Sequence, residues 1–150
     1  SGLQPERAAF AAGRIMIRRL YELAEARTDF AFETTLASRS FQPWLARLAQ
    51  TGYAIHIVFL WLESDDMAIA RVAERVQLGG HNVPESVIRR RYRAGIKNFF
   101  ELYQPLASSW QIVDNGDRVG QRIVASGCGP TIDDVNDPAT WNAMIQIGKA

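Results

Sequence analysis

Cysteine is nearly absent from this sequence. Cys128 stands alone, so no intramolecular disulfide can form, and no metal-type spacing surrounds it. It is expected as a small core or loop residue. Histidine is scarce too, with only His56 and His81, neither with an evident partner for nucleophilic catalysis or zinc binding. The hydrolase signature Gly-x-Ser-x-Gly does not occur. Nor does Gly-x-x-x-x-Gly-Lys-Ser/Thr, the loop that cradles nucleotide phosphates. Long hydrophobic runs are lacking: Tyr53 to Leu62 spans ten residues interrupted by His56, too short to cross a bilayer. No leader-like stretch opens the sequence, and the chain reads as a soluble, cytoplasmic protein without a membrane partner. A net charge of +1 gives no global reason to expect nucleic acid.

What is present is a strongly local basic stretch. Between Arg71 and Lys97 there are seven positive side chains (Arg71, Arg75, Arg89, Arg90, Arg91, Arg93, Lys97) against Glu74 and Glu85, a local balance of +5. The remainder of the chain is therefore net acidic. The stretch reads as a helix, a Gly79-Gly80 turn followed by His81, and a second helix opened by Pro84-Glu85. Arginine forks bind phosphate bidentately, and a hinged helical pair can close over a ligand and exclude water. A solvated helical face accounts for the same charges without function.

The rest of the chain is read as one domain, residues 1–150, long enough to bury a core. Gln4-Pro5-Glu6 opens a helix to about Arg27, with Phe10, Ile17, Leu20, Tyr21 and Ala24 as its apolar stripe. Phe30-Ala31-Phe32 predicts a short strand ending at Glu33-Thr34-Thr35. Ser38 or Ser40 caps a helix over 42–50 that Gly52 ends. Tyr53 to Leu62 has the pattern of a central parallel strand covered on both faces, with His56 a hydrogen-bonded core residue. Ser64-Asp65-Asp66 starts the first helix of the basic pair, whose buried side would be Met67, Ile69, Ala70, Ala73 and Val76. The second runs from Pro84 to about Tyr103, with Val87, Ile88, Tyr92, Ile96, Phe99, Phe100 and Tyr103 inward. That aromatic side is read as core rather than a base-stacking platform, which disfavours nucleic acid as partner. Trp110 to Val113 is a strand, Asp114-Asn115-Gly116 a turn, Gln121 to Ala125 a returning strand and Ser126 to Pro130 a loop. Asp137-Pro138 opens a terminal helix carrying Trp141, Met144 and Ile145 inward.

The order of elements predicts an α/β domain with a largely parallel sheet. A Glu/Thr cluster at a strand end beside an arginine-rich helical pair suits phosphoryl transfer, where the protein positions groups and neutralises charge.

These residues resemble the zeta-toxin-like P-loop kinases, in particular the bacterial branch described as predicted ABC-type ATPases. The likeness rests on Phe30-Ala31-Phe32-Glu33-Thr34-Thr35-Leu36, on Val58 to Leu62, on Arg75 to Pro84 with its Gly79-Gly80-His81-Asn82-Val83, on Arg89 to Tyr92, and on Trp110 to Asn115. It covers roughly residues 5–116. The resemblance implies a three-layer P-loop kinase fold with a helical lid over about 64–104, and ATP-dependent phosphorylation of a small molecule with Mg²⁺. In the toxins proper the acceptor is a UDP-linked N-acetyl amino sugar. Glu33 and Thr35 match positions that contact substrate, and Arg39 is grouped with them. Arg75 matches the first phosphate-binding lid arginine. The second lies within Arg89-Arg90-Arg91, with Arg90 preferred, so the resemblance gives Arg75 and Arg90 catalytic roles and all four arginines a place at the nucleotide.

The departure is equally plain. Neither the phosphate loop nor the family's Asn-Ala-Asp-Glu segment is found, and both would precede Ser1. The chain is expected to correspond to the carboxyl-terminal part of such a kinase, without the first strand, and not to catalyse by itself. Loss of that strand should expose a sheet edge and apolar surface. The alternative reading is a non-catalytic module that binds a nucleotide or an antitoxin-like protein partner.

Overall fold

A computed structural model describes residues 5–116 and 120–150, without the side chains of Pro5, Glu6, Ala9 and Phe10. The expected roles of Gln4 and Phe10 thus lie outside the described residues. The chain divides into two compact units, 1–33 and 34–150. The first is helix α1 (Pro5–Glu25) and the segment after it. Of the expected stripe, Leu20 and Ala24 are buried while Ile17 and Tyr21 are exposed. Arg27 turns the chain with a left-handed backbone, φ 58°. Phe30-Ala31-Phe32 carries no regular secondary structure, so the predicted strand is not formed. An apolar triplet becomes a strand only where a neighbour supplies a hydrogen-bonded ladder, and the sheet lies in the other unit.

That second unit contains α2 (Phe41–Gln50), β1 (His56–Trp61), α3 (Asp65–Gln77), α4 (Glu85–Asn98), β2 (Ser109–Asp114), β3 (Arg122–Cys128), β4 (Thr131–Val135) and α5 (Pro138–Lys149). It is a mixed α/β arrangement, as the element order predicts. The sheet order is β1-β2-β3-β4. Only β1 and β2 are parallel; β2–β3 and β3–β4 are antiparallel. The expectation of a largely parallel sheet is therefore corrected. A parallel neighbour needs a long crossover, which α3 and α4 supply between β1 and β2. The short connections after β2 and at Gly129-Pro130 permit only antiparallel return. Ser126 to Cys128 belong to β3 rather than to a loop, β4 was not foreseen, and Cys128 is exposed.

β1 lies at one end of this sheet, not at its centre. Its Val58 and Leu60 are 61% and 53% exposed, whereas Ile57, Phe59 and Trp61 pack on the core. The nearly continuous apolar run concealed an alternation between two faces. His56, on the open face, is exposed and hydrogen-bonded through Nδ1 to Ser109 Oγ at 2.6 Å, so it has a partner but is not a core residue.

The core forms where the inner faces of β1–β3 meet α4 and α5. Trp110 and Trp141 stack with ring centroids 5.8 Å apart, and Phe99 sets its edge against Trp110 at 5.9 Å. Phe99, Tyr103, Ile112 and Met144 are inaccessible to solvent. Burying an aromatic or large aliphatic side chain contributes about 1.5–3 kcal/mol, so this cluster anchors α4 to the sheet. The aromatic side of α4 is core, as expected. Among the described residues no helix is long and apolar enough to cross a membrane.

Candidate functional site

α3 begins with a built cap: Ser64 Oγ accepts from Met67 N at 3.1 Å, and Asp65 and Asp66 occupy the first turn. No residue of α3 is buried, and Val76 is 38% exposed. The predicted buried side of Met67, Ile69, Ala70, Ala73 and Val76 is thus corrected. The helix packs on α4 and touches the end of β2, where Arg71 Nη2 donates to Asn115 O at 2.8 Å. Such partial cover cannot bury a full stripe.

The Gly79-Gly80 turn has a defined structure. Gly79 adopts φ 94°, its N–H donates to Val76 O, and Gly80 N–H donates to Arg75 O at 2.7 Å. These bonds close the end of α3 in the usual glycine-dependent way. A Cβ on Gly80 would lie 2.8 Å from Arg75 O, so both glycines serve the cap. The segment from His81 to Pro84 then leads to α4.

The arginines of α4 separate into two groups. Arg89 Nη1 lies 3.1 Å from Asp65 Oδ1 and 2.8 Å from Asp66 Oδ1, and Arg93 Nη2 lies 3.4 Å from Asp65 Oδ2. The hydrogen bond from Arg89, with the charges of Arg89 and Arg93 behind it, holds the Asp65 carboxyl below the usual carboxylate range. Tyr92 donates to Leu62 O at 2.7 Å beside the same carboxylate, and burial with the nearby Asp65 and Glu63 charges pushes its hydroxyl up to about 12. Arg90 and Arg91, by contrast, are exposed and have no ion pair among the described residues. Arg75, in the last turn of α3, is likewise exposed and without an ion pair. Of the three neighbouring arginines, one is therefore tied to α3 and two are free to meet an anion.

The residues expected to contact substrate belong to two units. Glu33 is exposed at the end of the first. Thr35 and Arg39 belong to the second, on the segment 34–40 before α2. Thr34 Oγ1 accepts from Leu36 N at 3.2 Å and Thr35 Oγ1 from Ala37 N at 3.3 Å, so each hydroxyl shapes its own turn. Ser40 precedes α2 but makes no capping bond; its Oγ is 2.6 Å from Ser38 Oγ. Arg39 lies 3.8 Å from Glu101 across an exposed pair. Such pairs are worth at most about 1 kcal/mol, so this contact holds Arg39 only weakly.

The chain matches the zeta toxin family model over residues 6–120, well over half its length. The chain belongs to the zeta toxin family. An uncharacterized protein of Haemophilus influenzae (strain ATCC 51907 / DSM 11121 / KW20 / Rd) is 26% identical over 88 residues, 59% of this chain and 63% of that protein. The chain thus aligns with less than two thirds of that relative. No solved structure matches. The zeta toxin match includes the 34–40 segment and both basic helices, which agrees with the resemblance read from those residues.

Phosphate fits the residues present in this zeta toxin family member, since Arg90 and Arg91 offer guanidinium groups not engaged elsewhere. Divalent metal fits less well: among the described residues no group of three or more His, Cys, Asp or Glu side chains could hold an ion. Sequence reasoning missed Asp65 and Asp66 as partners of the basic helix, taking them only as first-turn acids. It also missed Asn98, whose Nδ2 donates to Leu36 O at 2.9 Å, and read Tyr103 as an inward residue without its hydrogen bond to Ser38 O. A separation of 23 residues between Asp66 and Arg89 leaves no local signature.

Proposed function

We propose that this chain forms the phosphate-neutralising and acceptor-side part of an ATP-dependent small-molecule kinase with a P-loop kinase sandwich. The observation that carries the reading is the division of the basic helix: Arg89 and Arg93 hold α4 against α3, while Arg90 and Arg91 are exposed and have no ion pair among the described residues. Membership of the zeta toxin family supports it. Arg75 and Arg90, on two helices that pack together, supply positive charge to the transferring phosphoryl, where a preorganised cation is worth most. Arg89 has the lesser claim to phosphate because release from two carboxylates would oppose it. Thr35 and Arg39 serve the acceptor, a small hydroxylated molecule of the UDP-linked amino-sugar class, and Glu33 is assigned to it by the resemblance alone. Mg²⁺ would arrive bound to the ATP phosphates.

A second reading is a module that binds a nucleotide or an antitoxin-like partner without catalysis, since exposed arginines such as Arg90 and Arg91 suit an anionic partner with or without a transfer step. Calorimetry of the chain with ATP and with a UDP-linked N-acetyl amino sugar, each with and without Mg²⁺, tests both. Binding of both ligands is the result the kinase reading requires. ATP binding alone, undiminished without Mg²⁺, favours the second, and no binding leaves only a protein partner.

A further inference from the structure

Helix α4 does more than present arginines. Past Asn98 it widens into a π turn, Phe99–Tyr103, closed by the bond from Gln104 N–H to Phe99 O. In a regular α-helix Asn98 and Tyr103 would point about 140° apart, five residues at 100° each. The wider i→i+5 turn brings them to one side. Both reach the segment that carries Thr35 and Arg39. Asn98 is 4% exposed, and its Nδ2 donates to Leu36 O at 2.9 Å and Ala37 O at 3.1 Å. Tyr103 Oη donates to Ser38 O at 2.5 Å. One turn earlier, Gly95 lets the Thr35 carbonyl approach so closely that a Cβ there would collide with it. Leu36 meanwhile holds a left-handed backbone, φ 58°, which a leucine adopts only at a cost, and packs against the core.

We propose that Asn98 and Tyr103 are positioning residues that fix the Thr35–Arg39 segment in register with the arginine-bearing helix. Three successive carbonyls, those of Leu36, Ala37 and Ser38, are held by two side chains of one helix. The π turn is what lets one helix reach all three. The acceptor segment and the phosphate arginines are thereby parts of one rigid element, and the bound strain at Leu36 is sustained by it. The ligand role rests on the acceptor reading given above; the clamp itself does not.

The test combines amide hydrogen exchange with ligand binding on the whole chain. Tyr103→Phe removes one hydroxyl and keeps the ring in the core. Asn98→Ala removes both donors. We expect amides of 34–40 to exchange at least about tenfold faster in each variant, the loss of about 1.4 kcal/mol of local stability. Amides of β2 and α5 should be unchanged. The affinity for a UDP-linked N-acetyl amino sugar should fall about tenfold while that for ATP stays within about twofold, a split that general loosening would not produce. Unchanged exchange at 34–40 in both variants overturns the clamp whatever the ligands do. Faster exchange with equal losses for both ligands overturns the positioning role. Faster exchange with no sugar binding even by the wild-type chain overturns the acceptor reading and the ligand role built on it.

Discussion

Asp65 is the residue on which the basic pair turns. Its carboxylate faces Arg89 and Arg93 and holds its proton less readily than an ordinary aspartate, chiefly through the Arg89 hydrogen bond. A carboxyl with a depressed folded-state value contributes stability above the unfolded value and loses it as pH falls through the folded one. The melting temperature of the wild-type chain should therefore drop more steeply as pH falls below about 4, the ordinary aspartate value, than that of Asp65→Asn, which lacks the charge throughout. Parallel melts at stepped pH decide this; equal slopes would remove Asp65 from the account. Little of the arrangement was legible beforehand. The arginine run and the two aspartates each stand out in the sequence, but nothing local says that Arg89 rather than Arg90 meets them. That choice follows from the rotation of α4, which is set by the burial of Ile88 and Ile96: Arg89, seven residues before Ile96, lies at the margin of the buried face, whereas Arg90 points away from it.

At the scale of elements, the end of α3 is where sequence and structure agree best in place and differ in meaning. Gly79-Gly80 marks the helix end, yet the glycines form a closed cap rather than a loose joint. Gly79→Ala should cost about 1–2 kcal/mol, the penalty of a side chain in the left-handed region. Gly80→Ala should also destabilise, because its Cβ would meet Arg75 O at 2.8 Å and displace the bond that ends the helix. Denaturant titrations of both variants measure this, and wild-type stability in both would refute the cap. The strands were less legible than the helices. β1 reads as a buried strand because nine apolar or aromatic residues flank one histidine in the run Tyr53 to Leu62, and periodicity alone does not say which face has no cover. β4, Thr131–Val135, is exposed throughout and carries two aspartates, so no apolar pattern announced it. The terminal helix, with Asp137 capping it through Thr140 and with Trp141 and Met144 buried, follows from local signals and was read correctly.

For the molecule as a whole, two properties follow. Val58 and Leu60 are exposed on the terminal strand β1, which carries no charge, proline or bulge to discourage pairing with another edge. Concentration-dependent self-association is expected, and Val58→Lys with Leu60→Lys should reduce it; sedimentation velocity showing a monomer for the wild type at all concentrations would contradict this. The α/β class and the family were legible from the sequence because both rest on motifs that follow in order from Phe30 to Asn115. The sheet direction was not, because strand pairing depends on connections whose lengths only the finished topology interprets. The second is the central proposal: phosphate is met by the arginines of α4 that have no ion pair among the described residues, Arg90 and Arg91, while Arg89 serves the fold. It is tested most directly by calorimetric titration of ATP into the wild type, Arg89→Ala and the double variant Arg90→Ala/Arg91→Ala, with melts alongside. A charge-assisted hydrogen bond is worth roughly 1.5–3 kcal/mol, so the double variant should lose at least about tenfold in affinity and keep its melting temperature. Arg89→Ala should instead melt lower. The reverse pattern, or ATP affinity unchanged in the double variant, would contradict the account.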